Sequence, residues 1–554
     1  MPSFDLIDEP WIPYLLPDGS KRLGGIREVL IGAQDIREIS DVSPLVTAAL
    51  HRMLLAMLHR VFGPEDEGAW ADLWNAGAFD ADELDRYLER WRHRFDLFHE
   101  THPFYQNAEL DPDYASSVTK LPLSAGKREP LFEHFVDDDS FSLSVPEAAC
   151  QLVALHAFAV GGLLSYERHL DDPRLYKSAK GGPLAKAAVA IVKGENLFQT
   201  LMLNLCRYSP ADEEPFPVEG DDVPAWERDE PTRAGERSPT GYLDLLTWQS
   251  RRVRLLPELA SEGTSWVVRR VVVMKGYQFP DSWSQRRETM VAFQKRRNAR
   301  PDEQAYLPVS FQRDRALWRD SLALLRLAPD PEERLKTVSW VADLVTQRLV
   351  SRSAIYNIDL AGLNTDQALV YFWRYERLPL PLAYLENQDL VDQLGRALDL
   401  AEQVGGVVRG VVASLAKLLL SPTANEERGR QPERSDINNL TKHLGTERLY
   451  WAQLETPFKR FVVDLAAEHE TDEEGSSRER DRVLASWADE LRRAARSAFE
   501  ETARGVGSSA RHMKAVAEAE MQLVRRLAHV LKGVVDDAAK SEEVMDGATA
   551  EVPS

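Results

Sequence analysis

From Val391 onward the apolar residues of this chain fall into helical register, and that register leaves little choice of fold for the C-terminal third. Val391, Leu394 and Leu398, then Val404, Val408, Val411, Leu415 and Leu418, recur at steps of three and four residues. This is the spacing of one face of a helix about 30 residues long. Similar patterns follow over about 437–468, 480–503 and 508–532, separated by "SPTANEERGRQPERSD", "ETDEEGSSRE" and "GVGSS". Each such helix must bury one stripe, and polar or Gly-rich connections let consecutive helices turn back on one another. The expectation is a four-helix bundle over 381–540, followed by an acidic, disordered tail over 541–554.

Residues 1–380 have a different texture, that of a mixed α/β domain with long loops, so the fold class expected for the whole chain is α+β followed by a four-helix bundle. "LIDEPWIPYLLPDGS" is proline-punctuated and extended, and ends in a Pro-Asp-Gly turn signal. "SPLVTAALHRMLLAMLHRVFG" predicts a helix, with Ser43 as cap before Pro44 and an apolar stripe of Leu50, Leu54, Met57 and Leu58. "SWVVRRVVVMKGYQF" alternates and is rich in β-branched residues, so it predicts a strand or hairpin. "AAVAIVKGENLFQTLMLNL" predicts a strand, a turn at Gly194, then a helix.

Composition narrows the class. The 554 residues carry a net charge of -21, with 44% hydrophobic and 28% charged residues, the usage of a soluble globular protein. Two cysteines, Cys150 and Cys206, support neither a disulfide framework nor a four-cysteine zinc cage. "MPSFDLIDEP" lacks the order of a secretory signal, and "ALHRMLLAMLH" and "GGVVRGVVASLAKLLLS" are interrupted by charge. A cytoplasmic protein with no membrane partner is expected. The charge is unevenly spread. Residues 251–300 hold ten Arg and two Lys against Glu258, Glu262, Asp281 and Glu288, a window of net +8. Within it "VAFQKRRNARP" crowds Lys295, Arg296, Arg297 and Arg300 together. Like charges so concentrated point to an anionic partner, masked in the whole-chain sum by acidic stretches such as "DEEPFPVEGDDVPAWERDEP".

Patterns that carry chemistry are sparse. "HETH" spaces His99 and His102 at i, i+3, whereas the metalloprotease pattern needs i, i+4. A metal-dependent nuclease using these two histidines is the rival reading, against a local polar cluster. Asp8 and Glu9 are adjacent in an extended segment, which sends their side chains to opposite faces. "KSAKGGPLAK" sets Gly181-Gly182 among lysines but is not a phosphate-binding loop. Neither a cofactor nor a metal is expected.

The opening "FDLIDEPWIPYLLPDGSKRLGGIREVL", the helix "SPLVTAALHRMLLAMLHRVF", then "HPFYQ", and far downstream "LYWAQLETPF" together resemble the CasA family, the large subunit of the type I-E CRISPR surveillance complex, Cascade. The resemblance spans essentially the whole chain in order, with "LIDEPWIP" its most specific piece. It implies an α/β domain followed by a four-helix bundle. It also implies a subunit that is not an enzyme. Such a subunit inspects the protospacer-adjacent motif (PAM) of double-stranded DNA from the minor groove and helps open the duplex. It contacts the 5′ handle of the CRISPR RNA, binds other Cascade subunits and docks the helicase-nuclease.

Residue by residue, the resemblance makes Gln367 in "AGLNTDQALVYFW" a wedge inserted into the duplex, beside Asp366 and Asn364; read from the residues alone, 364–367 is a turn. A groove-entering cation falls at Lys295 or Arg296. A glycine loop against the groove has no direct counterpart, since Asp171, Asp172, Pro173 and Arg174 stand there; the alternative apposition uses Lys177, Ser178 and Lys180 beside Gly181. Phe132, Glu133 and His134 correspond to the segment touching the RNA handle. Arg511, Lys514, Arg525 and Arg526 on the last helix are phosphate contacts or a solvated face. A purely structural scaffold subunit is the third reading.

Overall fold

The computed structural model describes residues 2–123, 141–164, 178–296, 305–312, 316–321, 324, 333–366, 369–421, 431–467 and 476–549. Two compact units divide the chain: Met1–Arg313 with Leu327–Ser351 and Tyr356–Leu378, and Asp314–Arg326 with Arg352–Ile355 and Pro379–Ser554.

In the first unit the strands pair antiparallel in small sheets. Ile12–Leu15 lies between Lys21–Gly24 and Glu38–Ile39. The Pro-Asp-Gly turn forms as the sequence predicts: Gly19 takes φ +83°, and the Leu16 carbonyl accepts from the Gly19 amide at 2.9 Å. Arg251–Leu259 and Trp266–Lys275 form a long hairpin, with Ser116–Ser117 and Leu143–Ser144 on the far edge of the second strand. Val189–Lys193 is a strand and Leu197–Asn204 a helix, with the turn at Gly194 between them.

Helix Pro44–Val61 runs through this unit and is buried nearly all round, beyond the single stripe its spacing suggests. Its polar residues are therefore constrained. Arg52 donates to the carbonyls of Leu245 and Leu246, at 2.8 and 3.1 Å, and pairs with Glu288 at 2.8 Å. His51 and His59 of this helix, and His156 of helix Val145–Phe158, are buried, and burial pushes each pKa down to about 3. Ser43 stands at the N-cap, but its side chain makes no capping bond; Thr47 instead accepts from the Asp41 amide.

The second unit is the helical bundle: Gln388–Leu420, Thr446–Ala467, Ser476–Gly505 and Ala510–Thr549 pack on one another, and the short helix Arg434–Leu444 precedes the second. The run expected as one helix from 437 to 468 is broken at Gly445, which adopts φ +67°, the left-handed conformation glycine takes at helix ends. The last helix also exceeds its expected extent. It continues to Thr549, so residues 541–549 of the segment expected as disordered are helical. This stretch, "SEEVMDGAT", meets no proline before Pro553, so nothing in it removes a backbone donor from the helix. By length and composition alone, Gln388–Leu420 could cross a membrane; in the bundle it buries Leu394, Val404, Val408, Val411 and Leu415.

The bundle core includes a residue from outside the C-terminal run. Trp318, 1% exposed, packs on Phe458 and Trp451, with ring centroids at 4.5 and 5.8 Å. Next to it Arg319 lies 3.6 Å from the Trp451 ring centroid and donates to Glu402. Gly405 makes room for Trp451, since a Cβ there would sit 2.7 Å from the indole.

Two measurements check this packing. Trp318→Ala is expected to cost about 3–5 kcal/mol through cavity formation, read as a lower urea midpoint, and Trp318→Phe less. For the histidines, unfolded imidazole binds a proton below about pH 6.5, while the folded rings stay neutral to about pH 3. Stability therefore falls as pH drops through this window, by about 2 kcal/mol per histidine at pH 5. Urea titrations at pH 7 and pH 5 measure it, and an unchanged midpoint would refute the assignment.

Candidate nucleic-acid interface

The two segments singled out for nucleic-acid contact are both hairpins, and both grow from one strand. Phe293–Lys295 pairs with Tyr306–Pro308, setting Lys295 opposite Tyr306. Ile355–Asp366 pairs with Leu369–Pro381, strands of 12 and 13 residues. Strand Val189–Lys193 joins them. One edge pairs with Asn357 to Ala361. The other bonds the root of the basic hairpin: Ala190 donates to the Met290 carbonyl and Ala188 to the Val309 carbonyl, both at 2.8 Å.

Further contacts tie the hairpins side by side. Asn364 donates its side-chain amide to the Phe311 carbonyl at 2.7 Å. Arg374 donates to the Gln312 carbonyl at 3.3 Å. At Gly362 a Cβ would lie 2.4 Å from the Ala187 carbonyl oxygen and 3.1 Å from the Phe311 ring, so only glycine admits this approach. The root also holds buried charge. Lys193 and Arg377 surround Glu38 at 3.3 and 2.8 Å, and Arg377 pairs with Asp359 at 2.5 Å. Burial drives the Lys193 pKa down. For Glu38 burial opposes ionisation, but the two cations hold its carboxyl below the usual range.

On the basic hairpin Gln294, Lys295 and Arg296 are exposed. The Lys295 ammonium lies 5.8 Å and the Arg286 guanidinium 4.6 Å from the Tyr306 ring centroid. The Lys295 amide is held by Glu333 at 3.1 Å, and the Arg296 amide by the Ala305 carbonyl at 2.8 Å. Residues 297–304 lie outside the described residues, as do Gln367, Lys177 and the handle segment with Phe132, Glu133 and His134. Asp171, Asp172, Pro173 and Arg174 also fall there. Asp366 ends the first strand of the longer hairpin, so Gln367 follows directly on a strand end.

Several expected contacts are used inside the protein. Lys180 donates to the Phe279 carbonyl at 2.6 Å and pairs with Asp281 at 2.7 Å and Glu236 at 3.4 Å. Burial disfavours its charge, but these carboxylates hold its pKa above the ordinary lysine value. Gly181 and Gly182 admit the protein's own backbone and side chains: a Cβ on Gly182 would sit 2.7 Å from the Ala157 carbonyl oxygen, and one on Gly181 3.0 Å from the Ala185 Cβ. The glycine pair thus serves a close internal approach. Arg511 likewise has internal partners: its guanidinium donates to the carbonyls of Leu418, Leu419 and Ser421, at the C-terminus of helix Gln388–Leu420. Lys514, Arg525 and Arg526 are exposed, and Arg526 lies over Gly410.

His99 and His102 stack with ring centroids 5.9 Å apart. His99 Nδ1 accepts from the amides of His102 and Thr101, at 3.1 and 3.3 Å, which puts the proton of the neutral ring on Nε2 and removes a metal-ligating lone pair. This is a turn, and no group of three or more His, Cys, Asp or Glu able to hold a metal occurs among the described residues.

The family model for CRISPR-associated protein Cse1 matches residues 5–498. The chain belongs to the Cse1 (CasA) family. It is 33% identical to CRISPR-associated protein CasA/Cse1 of Thermus thermophilus over 541 residues, covering 95% of this chain and 97% of that one. A crystal structure of Thermus thermophilus CasA aligns with a TM-score of 0.74 and 31% identity, over 95% of this chain and all of the other. Cse1 from Acidimicrobium ferrooxidans aligns at 0.76 with 26% identity, covering 96% and 99%. A chain of a structure described as a CRISPR RNA-guided surveillance complex shares the fold, at a TM-score of 0.70 and 20% identity, covering 95% and 100%. The α+β unit followed by a helical unit is thus the Cse1 architecture.

Within this Cse1-family chain Lys180 has carboxylate partners, whereas Lys295 is exposed on the basic hairpin. Lys180→Ala is expected to lower the melting temperature and leave the salt dependence of duplex binding unchanged. Lys295→Ala is expected to leave the melting temperature unchanged and to flatten that salt dependence. Thermal melts beside binding isotherms at two salt concentrations separate them.

Proposed function

We propose that this chain is the non-catalytic large subunit of Cascade, the RNA-guided CRISPR surveillance complex, and that it inspects the PAM of double-stranded DNA and starts its opening. The observation that carries this reading is the common root of the two hairpins. A cationic hairpin bearing Lys295 and Arg296, and a longer hairpin whose first strand ends just before Gln367, are braced on Val189–Lys193. Exposed cations suit phosphates and the acceptor-lined minor groove. Parting a base step costs a few kcal/mol, and an element that does so must not yield; a long hairpin tied at its base meets that demand. The chemistry of target degradation falls to a recruited helicase-nuclease, and the contacts to the RNA handle and to other subunits complete the assembly.

The test uses the reconstituted complex on a target duplex. Lys295→Ala with Arg296→Ala is expected to weaken binding about tenfold and to flatten its salt dependence by about 0.9 in log–log slope per lost phosphate contact. Gln367→Ala is expected to impair binding of the intact duplex and to recover on a duplex already melted beside the PAM. Absence of that recovery refutes the wedge. Under a purely structural role, complexes lacking this chain would keep normal PAM dependence.

A further inference from the structure

The return strand of the longer hairpin carries a feature the duplex-opening role does not use. Trp373 and Tyr375 are 40% and 42% exposed, an unusual cost for large rings. They alternate with Arg374 and Glu376, and Glu376, Leu378 and Leu380 are buried, so the strand has an inner face and an outer one. On the outer face Arg377 follows in the same alternation, its guanidinium 6.0 Å from the Tyr375 ring centroid. Trp373, Tyr375 and Arg377 thus form a row of planar groups, spaced by about 6.7 Å along the strand, close to two steps of stacked bases.

The charge of this row is balanced. Arg377 and Lys193 are matched by Glu38 and Asp359, so it is a poor clamp for phosphate. What remains is π-surface, which every base can use whatever its sequence. The row also lies close in sequence to the residue proposed to part the duplex: Trp373 is six residues beyond Gln367, on the strand Leu369–Pro381.

We propose that the outer face of the strand from Trp373 to Arg377 is a stacking platform for the DNA strand left unpaired when the duplex opens, with Trp373 and Tyr375 holding its bases. This rests on the reading of the hairpin as the duplex-opening element. A stacking contact of this kind contributes without counterion release, unlike the contacts of Lys295 and Arg296.

The experiment places 2-aminopurine in turn at the first ten positions of the displaced strand of a target duplex bound by the reconstituted complex. Opening is scored independently by permanganate reactivity of thymines beside the PAM. Stacking on Trp373 and Tyr375 is expected to quench the probe at one or two positions. Trp373→Ala with Tyr375→Ala is expected to abolish that quench, to shorten the open-state lifetime about tenfold or more and to leave the salt slope unchanged. Trp373→Phe, which keeps a ring, is expected to retain most of the quench. Equal probe signals in wild type and double variant, with opening intact, overturn the platform and leave the duplex-opening reading standing. Absence of opening in the wild-type complex overturns both. Failure of the double variant to enter the complex, with a normal melting temperature, shows that the face binds protein and overturns the platform.

Discussion

The contact on which the first unit most depends is the buried pair of Arg52 and Glu288, with side chains 2% and 4% exposed. Taking two charges out of water costs several kcal/mol per ion, so such a pair survives only where its geometry is complete. Here it is largely so: Arg52 also donates to the carbonyls of Leu245 and Leu246 at the end of helix Tyr242–Leu246, although Glu288 Oε2 is buried without a hydrogen-bond partner. Glu288 Oε1 also accepts from the Met290 amide at 3.3 Å. The Met290 carbonyl in turn takes the Ala190 amide of the strand from which both hairpins grow. A chain of bonds thus runs from the middle of a core helix to the base of the candidate interface. Apolar replacement of one partner would strand the other charge in the core.

The long bundle helices and the Pro-Asp-Gly turn were legible because their signals are local: periodicity, a glycine, a turn triplet. The break at Gly445 was missed because helical spacing on either side of it continues in phase. Trp318 was missed for another reason. Nothing in "RALWRDS" says that its indole belongs to a core formed by residues more than 130 positions later, where Trp451 and Phe458 stand. The same limit applies to the interface. The sequence marks each hairpin segment separately, but that Val189–Lys193 joins them is a long-range pairing with no local trace. Gly362 could have offered a clue, as a glycine within a strand often marks close backbone approach.

The +8 window looks uniform in sequence, yet the fold consumes its first part. Arg251 donates to the Lys180 and Val160 carbonyls, Arg252 to Glu230 and the Pro231 carbonyl, and Arg254 to the Leu110 carbonyl. Guanidinium has five donors in a rigid fork, and these arginines use it to satisfy backbone carbonyls near the long hairpin. Farther on, Arg287 lies over Trp283 and Arg286 over Tyr306. Lys295 and Arg296 stand exposed at the end of this series. A basic stretch thus contains two populations, and only burial and partners tell them apart.

That division bears on how an acidic protein can hold DNA. A net charge of -21 repels a polyanion at long range, but at physiological salt the field of exposed charge fades within about 8 Å. Inside that distance the local arrangement governs, and under the proposed role the cations of the braced hairpin would meet phosphate there. The surrounding negative charge then works against indiscriminate adhesion along DNA, because each additional approach of acidic surface costs energy. Dwell time would be set by the few groups that fit the groove. The duplex inspection proposed for this chain, in which most duplexes are released, would be served by such a balance.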